Sequence, residues 1–130
     1  MAQAARVLPV LLGTAVALGG CGDPPIQAAQ NRTIGLKLDE YRILPQRVSA
    51  PAGPLRLIIR NNGILTHNVA IETILKPGAK GQPDVIVRTS TTHPGERAEV
   101  SFTIAPGTYR LVCTIANHDD LGQTGTLYVR

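Results

Sequence analysis

Alternation of apolar and polar residues with a period of two is the dominant pattern of this chain. In residues 33–40, Ile34, Leu36 and Leu38 alternate with polar or small neighbours, and residues 96–104 repeat the pattern. Because successive side chains of a β-strand point to opposite faces of a sheet, this alternation predicts half-buried strands.

Turn-forming residues separate the apolar runs. The chain has 13 glycines and 10 prolines, which fall mainly between these runs and predict turns. Further strands are predicted at residues 41–49 (interrupted at Pro45), 55–60, 67–71, 84–89, 109–113 and 125–129. Seven or eight strands at hairpin-like spacing, with no predicted helix, indicate an all-β protein with a Greek-key β-sandwich architecture.

Length and composition fit one folded domain of this kind. A chain of 130 residues can form one modest core, and with 3% aromatic residues that core must consist mainly of Val, Ile and Leu. Arg6 is the one basic residue among residues 1–20, so the rest of the chain has 12 basic and 9 acidic residues. These charges are scattered, and no basic run contains interleaved aromatic residues, which argues against nucleic-acid binding.

The first 20 residues have the features of a bacterial secretory signal peptide. One positive charge precedes an apolar run at residues 7–18, which is too short for a membrane span. The Leu-Gly-Gly-Cys sequence that ends at Cys21 resembles a lipobox, in which the cysteine becomes the lipidated first residue of the mature chain. Ordinary cleavage near Gly20, which leaves Cys21 unmodified, is the alternative.

These features divide the chain into a signal peptide (residues 1–20), a flexible polar tether (residues 21–31) and a folded domain (residues 32–130). A lipid on Cys21 anchors the exported domain at the cell membrane, facing the periplasm or the extracellular side. The chain has two cysteines, Cys21 and Cys113. A disulfide between them is disfavoured, because Cys21 belongs to the export signal and lies across the tether from the domain.

A polar loop near the C-terminus contains the candidate chemistry. Alternation before Cys113 predicts that this residue ends a strand, and His118 and Gln123 follow it in a short loop. A thiolate at the end of a rigid strand, with an imidazole five residues later, suits metal binding. His67, at the start of an earlier predicted strand, offers a second imidazole. One thiolate and two imidazoles are the donor set of a blue copper electron-transfer site, which a weak axial Met or Gln completes.

Simpler interpretations exist for the histidines and for the metal. A lone histidine on an apolar strand face, such as His67, is usually a buried core residue with its hydrogen bonds satisfied. His93 lies in a predicted turn and is interpreted as a surface residue. Zinc also accepts cysteine and histidine donors, but one thiolate, two imidazoles and a weak fourth group suit copper better.

Two motifs resemble those of the cupredoxins, the small plastocyanin- and azurin-like blue copper proteins. One is Asn61-Asn62-Gly63…Thr66-His67-Asn68, and the other runs from Pro106-Gly107-Thr108-Tyr109 through Cys113-x4-His118-x4-Gln123 to Gly125-Thr126-Leu127. The resemblance covers residues 33–130. It implies a cupredoxin-like sandwich that binds one type 1 copper ion through His67, Cys113, His118 and Gln123.

The resemblance also predicts how the site is tuned. In the family, the backbone after the first histidine, here Asn68, hydrogen-bonds the thiolate. Most members have Met at the axial position, whereas a stellacyanin-like minority has Gln, as at Gln123 here. A harder oxygen donor stabilises Cu(II), which predicts a lower reduction potential than with Met. A different register would leave Gln123 outside the site and the axial position without a side chain.

Taken together, these features predict a membrane-tethered, exported electron carrier with one type 1 copper, and not an enzyme. A copper chaperone or storage lipoprotein is the main alternative, although the chain has one Met, whereas such proteins tend to be Met- and His-rich. A structural β-sandwich with a buried Cys113 is a third possibility.

The candidate partners follow from the surroundings of His118. In the family the corresponding histidine reaches the surface and passes electrons, and here Asp119 and Asp120 follow it. An acidic rim favours a basic redox partner such as a c-type cytochrome, and a membrane oxidase is also compatible. Alternatively, both aspartates only solvate the loop. We expect a monomer.

Overall fold

The computed structural model describes residues 22–130, which form ten β-strands in two sheets. The predicted signal peptide and Cys21 lie outside the described residues. The strands are β1 (Gln27–Ala28), β2 (Thr33–Asp39), β3 (Arg42–Leu44), β4 (Arg47–Ala50), β5 (Gly53–Asn61), β6 (Ala70–Thr73), β7 (Val85–Arg88), β8 (Arg97–Ile104), β9 (Gly107–Val112) and β10 (Thr124–Val129).

The two sheets pack face to face as a sandwich. One has six strands in the order β1-β4-β10-β9-β6-β7, and the other has four in the order β3-β2-β5-β8. Strands β1 and β10 pair with β4 in parallel, as β2 does with β5, and the remaining pairs are antiparallel. The all-β prediction is therefore confirmed, and the described part contains no helix.

The core lies between the sheets and consists of aliphatic side chains, as the composition predicts. In β5, Leu55, Leu57 and Ile59 face inward and are buried, while the residues between them face outward. Each such side chain contributes about 1.5–3 kcal/mol by leaving water. The buried core residues all fall between Ile34 and Val129, so a fragment beginning at Gly22 contains the complete core.

The segment around Pro45 accounts for part of the difference between ten strands and the predicted seven or eight. Residues on either side of Pro45 do not form one interrupted strand, because β3 pairs with β2 while β4 pairs with β10 in the opposite sheet. Proline has no N–H to donate to a strand ladder, so the chain crosses between sheets here. The short β1, within the segment predicted to be a tether, adds another strand.

The strand predicted at residues 67–71 begins later than expected. Its regular part is β6, which starts at Ala70, and His67 makes only an isolated bridge to Thr92. His67 therefore lies in an irregular segment at the end of the sandwich, where side-chain hydrogen bonds position it.

Among residues 22–130, there is no helix long and apolar enough to cross a membrane.

Candidate metal centre

Three buried side chains converge at one end of the sandwich: His67, Cys113 and His118. One donor atom from each lies within 4.8 Å of the others. Cys113 Sγ is 4.0 Å from Nδ1 of His67 and 3.7 Å from Nδ1 of His118. Bonds of about 2.3 Å to sulfur and about 2.0 Å to nitrogen in a trigonal plane separate these donors by about 3.7 Å. The side chains predicted from sequence thus have the spacing of a three-coordinate metal site.

Backbone hydrogen bonds close the loop that joins Cys113 to Gln123. Cys113 directly follows β9, and its N–H donates to the carbonyl of Gln123 at 3.1 Å. The N–H of Gln123 donates in turn to the carbonyl of His118 at 3.0 Å. Gly122 adopts a φ of 108°, a left-handed conformation that favours glycine. The short loop therefore holds these three side chains in place on the last two strands of the fold.

The segment that carries His67 is fixed by Asn61 and Thr92. The backbones of His67 and Thr92 exchange two hydrogen bonds, of 3.0 and 2.7 Å. Asn61 is fully buried, and its amide donates to the carbonyls of Leu65 at 2.8 Å and Thr92 at 3.0 Å. Its side-chain oxygen accepts the N–H of Gly63 at 2.9 Å. One asparagine therefore ties the loop before His67 to the segment that pairs with it.

We expect Asn61→Ala to destabilise the domain by about 2–4 kcal/mol, because it removes two buried hydrogen bonds and one partly buried one, and takes this partner from the N–H of Gly63 and the carbonyl of Leu65. The measurement is urea unfolding of the metal-free fragment 22–130. Asn62→Ala is a matched control, because Asn62 is exposed and donates through its backbone N–H, which alanine retains. Equal losses from the two variants would show that the Asn61 side chain does not hold this loop.

Glu40 lies beside the outer nitrogen of His67. Its Oε1 accepts the N–H groups of Ile64 at 2.5 Å and Leu65 at 3.2 Å, and lies 3.7 Å from Nε2 of His67. The hydrogen bond from Ile64 lowers the pKa of Glu40, which therefore stays ionised. The 3.7 Å between Oε1 of Glu40 and Nε2 of His67 is too long for a good hydrogen bond. The negative charge of Glu40 nevertheless favours the His67 tautomer that carries its proton on Nε2. That tautomer leaves the Nδ1 lone pair directed at Cys113.

Burial keeps the imidazole of His67 neutral. The ring is fully buried, and this burial, reinforced by the nearby His118, lowers the pKa of His67 below its usual value. A neutral imidazole is the form that binds a metal. His67 is therefore ready to act as a ligand without first losing a proton, whereas a buried core histidine with satisfied hydrogen bonds would have a partner on both nitrogens.

Gln123 provides the strongest indication that the site is built for a metal. The side chain is fully buried, and its Nε2 donates to the carbonyls of Asp39 at 2.8 Å and Arg42 at 3.4 Å. Its Oε1 has no hydrogen-bond partner within the described part of the chain. Leaving a buried carbonyl oxygen unpaired costs about 1–3 kcal/mol, and a bound metal ion would offset this cost. The residues present thus fit a metal ion with one weak oxygen donor.

Asn68 connects the two ligand segments through its side chain. Its Oδ1 accepts the N–H of Thr114 at 2.9 Å, and its Nδ2 donates to Oγ1 of Thr114 at the same distance. The resemblance implied a different contact, from the backbone of Asn68 to the thiolate. Because Thr114 follows Cys113 and Asn68 follows His67, this pair of hydrogen bonds holds the two candidate ligands in register.

His118 is the candidate ligand nearest to solvent, with 8% of its surface exposed. Tyr41 packs edge-on against its ring, with centroids 5.5 Å apart. Asp119 forms an ion pair with Arg110 at 3.3 Å, so the acidic character of this loop rests mainly on exposed Asp120. Leu121, also in this loop, is 50% exposed.

His93 is not part of the site, whereas two residues that were not predicted from the sequence, Glu40 and Thr92, contact His67. His93 is exposed and lies outside the cluster, and its N–H donates to Glu96. Cys113 is a free thiol. Sequence reasoning missed Glu40 and Thr92, and nothing local to either residue indicates a role, because the fold alone brings them to His67.

Comparison with solved structures identifies the fold. The chain is similar to an auracyanin from the photosynthetic bacterium Roseiflexus castenholzii (22% identity, TM-score 0.68, 78% of this chain and 98% of that one). It is also similar to auracyanin A, a blue copper protein from Chloroflexus aurantiacus (22% identity, TM-score 0.65, 75% of this chain and 98% of that one). Auracyanin B is 23% identical with a TM-score of 0.67, and the match covers 84% of this chain and 91% of that one. No protein-family model and no curated protein matches the chain.

At these identities the likeness shows the fold, so the predicted cupredoxin-like β-sandwich is confirmed. The donor set of His67, Cys113 and His118, in the same fold as the auracyanins, fits one type 1 copper ion.

Proposed function

We propose that this protein is an exported electron carrier that cycles one type 1 copper ion between Cu(I) and Cu(II). The observation that supports this most directly is the pairing of three converging donors with the unpaired Oε1 of buried Gln123. A soft thiolate and two imidazoles would hold copper in both oxidation states, and the amide oxygen of Gln123 would add a weak fourth donor. The blue copper chemistry of auracyanin A, which shares this fold, supports the same assignment.

Copper, when bound, supplies a one-electron couple, and the chain supplies a rigid frame around it. His67 is held from two sides, by its bridge to Thr92 and by the Asn68–Thr114 hydrogen bonds. The closed loop after β9 fixes Cys113 and His118 relative to each other. Because these donors are already in place, little has to move when the charge of the site changes, which favours fast electron transfer.

Burial of the donors argues against the other function classes. The side chains of Cys113, His67 and Gln123 are fully buried, which keeps these donors from an external substrate, and we infer that the protein is not an enzyme. A chaperone or storage site must exchange its metal, which exposed Met- and His-rich ligands allow. Here the donors are enclosed, which favours retention of the metal and electron transfer over copper handling.

We propose that electrons leave through the edge of His118 towards a redox protein such as a c-type cytochrome or a membrane oxidase. His118 and Tyr41 are the parts of the site nearest to solvent. Since Arg110 offsets the charge of Asp119, exposed Asp120 is the main acidic group left to attract a basic partner. We further propose that the domain is monomeric and is anchored at the membrane by a lipid on Cys21, facing the periplasm or the extracellular side.

We expect one equivalent of Cu(II), added to the fragment 22–130, to give an intense visible thiolate-to-copper band and a narrow copper hyperfine splitting in electron paramagnetic resonance. His118→Ala should alter both signals, because it removes one of three strong donors. His93→Ala is the matched control and should leave both unchanged, since His93 is exposed and outside the cluster. A colourless or weakly bound product would favour copper handling or a structural role.

A further inference from the structure

The outer face of the four-stranded sheet carries a row of basic residues. The strand register places Lys37 of β2 opposite Arg60 of β5, and Arg60 opposite Arg97 of β8. All three are exposed and alternate with buried core residues, so they point away from the core. Neighbouring strands lie about 4.8 Å apart, which puts three cations side by side across the sheet.

The outward side of β2, β3, β5 and β8 is named the basic face, and its net charge equals the net charge of residues 22–130. Residues 22–130 include 12 basic and 9 acidic residues, a net charge of +3. The charged residues that point outward from this sheet are Lys37, Arg42, Arg56, Arg60 and Arg97, with Asp39 and Glu99. Five cations and two anions give +3, so the remaining seven basic and seven acidic residues balance.

The charges at the centre of the basic face are those without an acidic partner. Arg42 pairs with Asp39 at 3.3 Å, while Arg56 and Arg97 share Glu99 at 3.1 and 2.8 Å. Within residues 22–130, Lys37 and Arg60 form no ion pair, and they border a shallow groove floored by Leu44 and Ile58. The centre of the face thus presents uncompensated positive charge beside apolar surface.

We propose that the basic face docks on a membrane surface that contains anionic lipids. A flat arrangement of cations matches the charge of such a surface, and each basic residue near it strengthens binding about fivefold. The outward residues of the four strands include no aromatic side chain, whereas protein interfaces are usually anchored by Tyr and Trp. A second copy of the chain would bring the same positive charges together, which disfavours self-association through this face.

The start of the described chain lies at the border between the two sheets. Gln27 borders the groove together with Lys37 and Arg60. Before Gln27, Pro24 and Asp23 contact Arg47 of β4 at 3.1 and 3.5 Å, so the chain there runs along the six-stranded sheet. A lipid on Cys21, which belongs to the proposed function, would tether the domain to the bilayer, and the charge of the basic face would select the surface that docks.

Docking through a sheet face lays the strands parallel to the membrane. The candidate metal centre lies at the strand ends, where β5 ends at Asn61 and Cys113 follows β9. This end would then point along the membrane plane and remain accessible to a redox partner. The basic face would therefore set the orientation of His118 relative to proteins of the same membrane.

We expect the unlipidated fragment 22–130 to bind phosphatidylglycerol-containing phosphatidylcholine vesicles at low salt, and not pure phosphatidylcholine vesicles, in a sedimentation assay. Replacing Lys37 and Arg60 together by Gln should weaken binding about 25-fold, two factors of about fivefold. Lys76→Gln with Lys80→Gln is the matched control, since it removes the same charge from an exposed loop outside the basic face. We expect it to weaken binding by less than about threefold, because these lysines lie between β6 and β7 of the six-stranded sheet, so the basic face keeps its charge.

Three outcomes would overturn the proposal. These are equal losses from both double variants, no preference for anionic vesicles, or a dimer of the fragment that the Lys37/Arg60 variant abolishes, which would make a second copy the occupant. Because the fragment lacks Cys21, none of these results depends on lipidation. Metal-free protein serves equally well, so failure of the copper assignment and failure of the docking surface are distinguishable.

Discussion

Cys113→Ser should abolish the intense visible band of the Cu(II)-loaded protein and weaken Cu(I) binding more than Cu(II) binding. The band requires a thiolate bonded to copper, and a serine hydroxyl at neutral pH is neither ionised nor soft. Loss of a contact that only orients a ligand already costs about 10–100-fold in metal affinity, so loss of this ligand should reduce Cu(I) affinity by at least about 100-fold. Absorption spectra and competition with a Cu(I) chelator measure the two effects.

The control for this variant is the neighbouring Thr114→Ser, which retains a hydroxyl able to bond Asn68 and should retain the band. In the fragment 22–130, Cys113 is the only cysteine, so no other thiolate can replace it. Because Cys113 is fully buried, circular dichroism of the metal-free variant must first show that it is folded. A band that survives in folded Cys113→Ser would refute thiolate ligation and with it the proposed function.

The local part of the candidate site was predictable from sequence because its residues are close in the chain. Cys113, His118 and Gln123 lie on one loop, and the alternation before Cys113 places the cysteine at the end of a strand. His67 is 46 residues away from Cys113. Spacing alone could not connect the two, and the resemblance of both motifs to the cupredoxins did so.

The surroundings of the site were not predictable, because they depend on contacts between distant strands. Glu40 reaches His67 only because β2 and β5 are parallel neighbours, which places the ends of both strands at one edge of the sheet. The switch of sheets at Pro45 has the same origin, since each half of that segment finds a different partner strand. The period of two therefore predicts strands but not their partners.

The distribution of charge over the surface could not be predicted from the sequence either, because it depends on which strands are neighbours. The basic residues of β2, β5 and β8 are scattered in sequence, and only the strand register brings Lys37, Arg60 and Arg97 into one row. From the sequence alone, each of these three residues is interpreted as part of a solvated face. Once the register is known, the entire net charge of the described chain lies on one sheet.

Gln123→Met should raise the reduction potential of the copper site. The amide oxygen of Gln123 is a hard donor that stabilises Cu(II), whereas a thioether stabilises Cu(I). A tenfold change in the ratio of Cu(I) to Cu(II) affinity corresponds to about 59 mV, and we expect an increase of at least this size. Protein-film or solution voltammetry of the loaded fragment 22–130 measures it directly.

The same substitution has a structural consequence that needs its own control. Gln123 donates to the carbonyls of Asp39 and Arg42, and methionine cannot, but methionine also removes the unpaired Oε1, so the two effects on metal-free stability oppose each other. Gln123→Leu removes the same hydrogen bonds without supplying sulfur, and should likewise raise the potential because the oxygen donor is lost. If both variants leave the potential unchanged or lower it, Oε1 lies outside the coordination sphere, and the unpaired oxygen has no metal to compensate it.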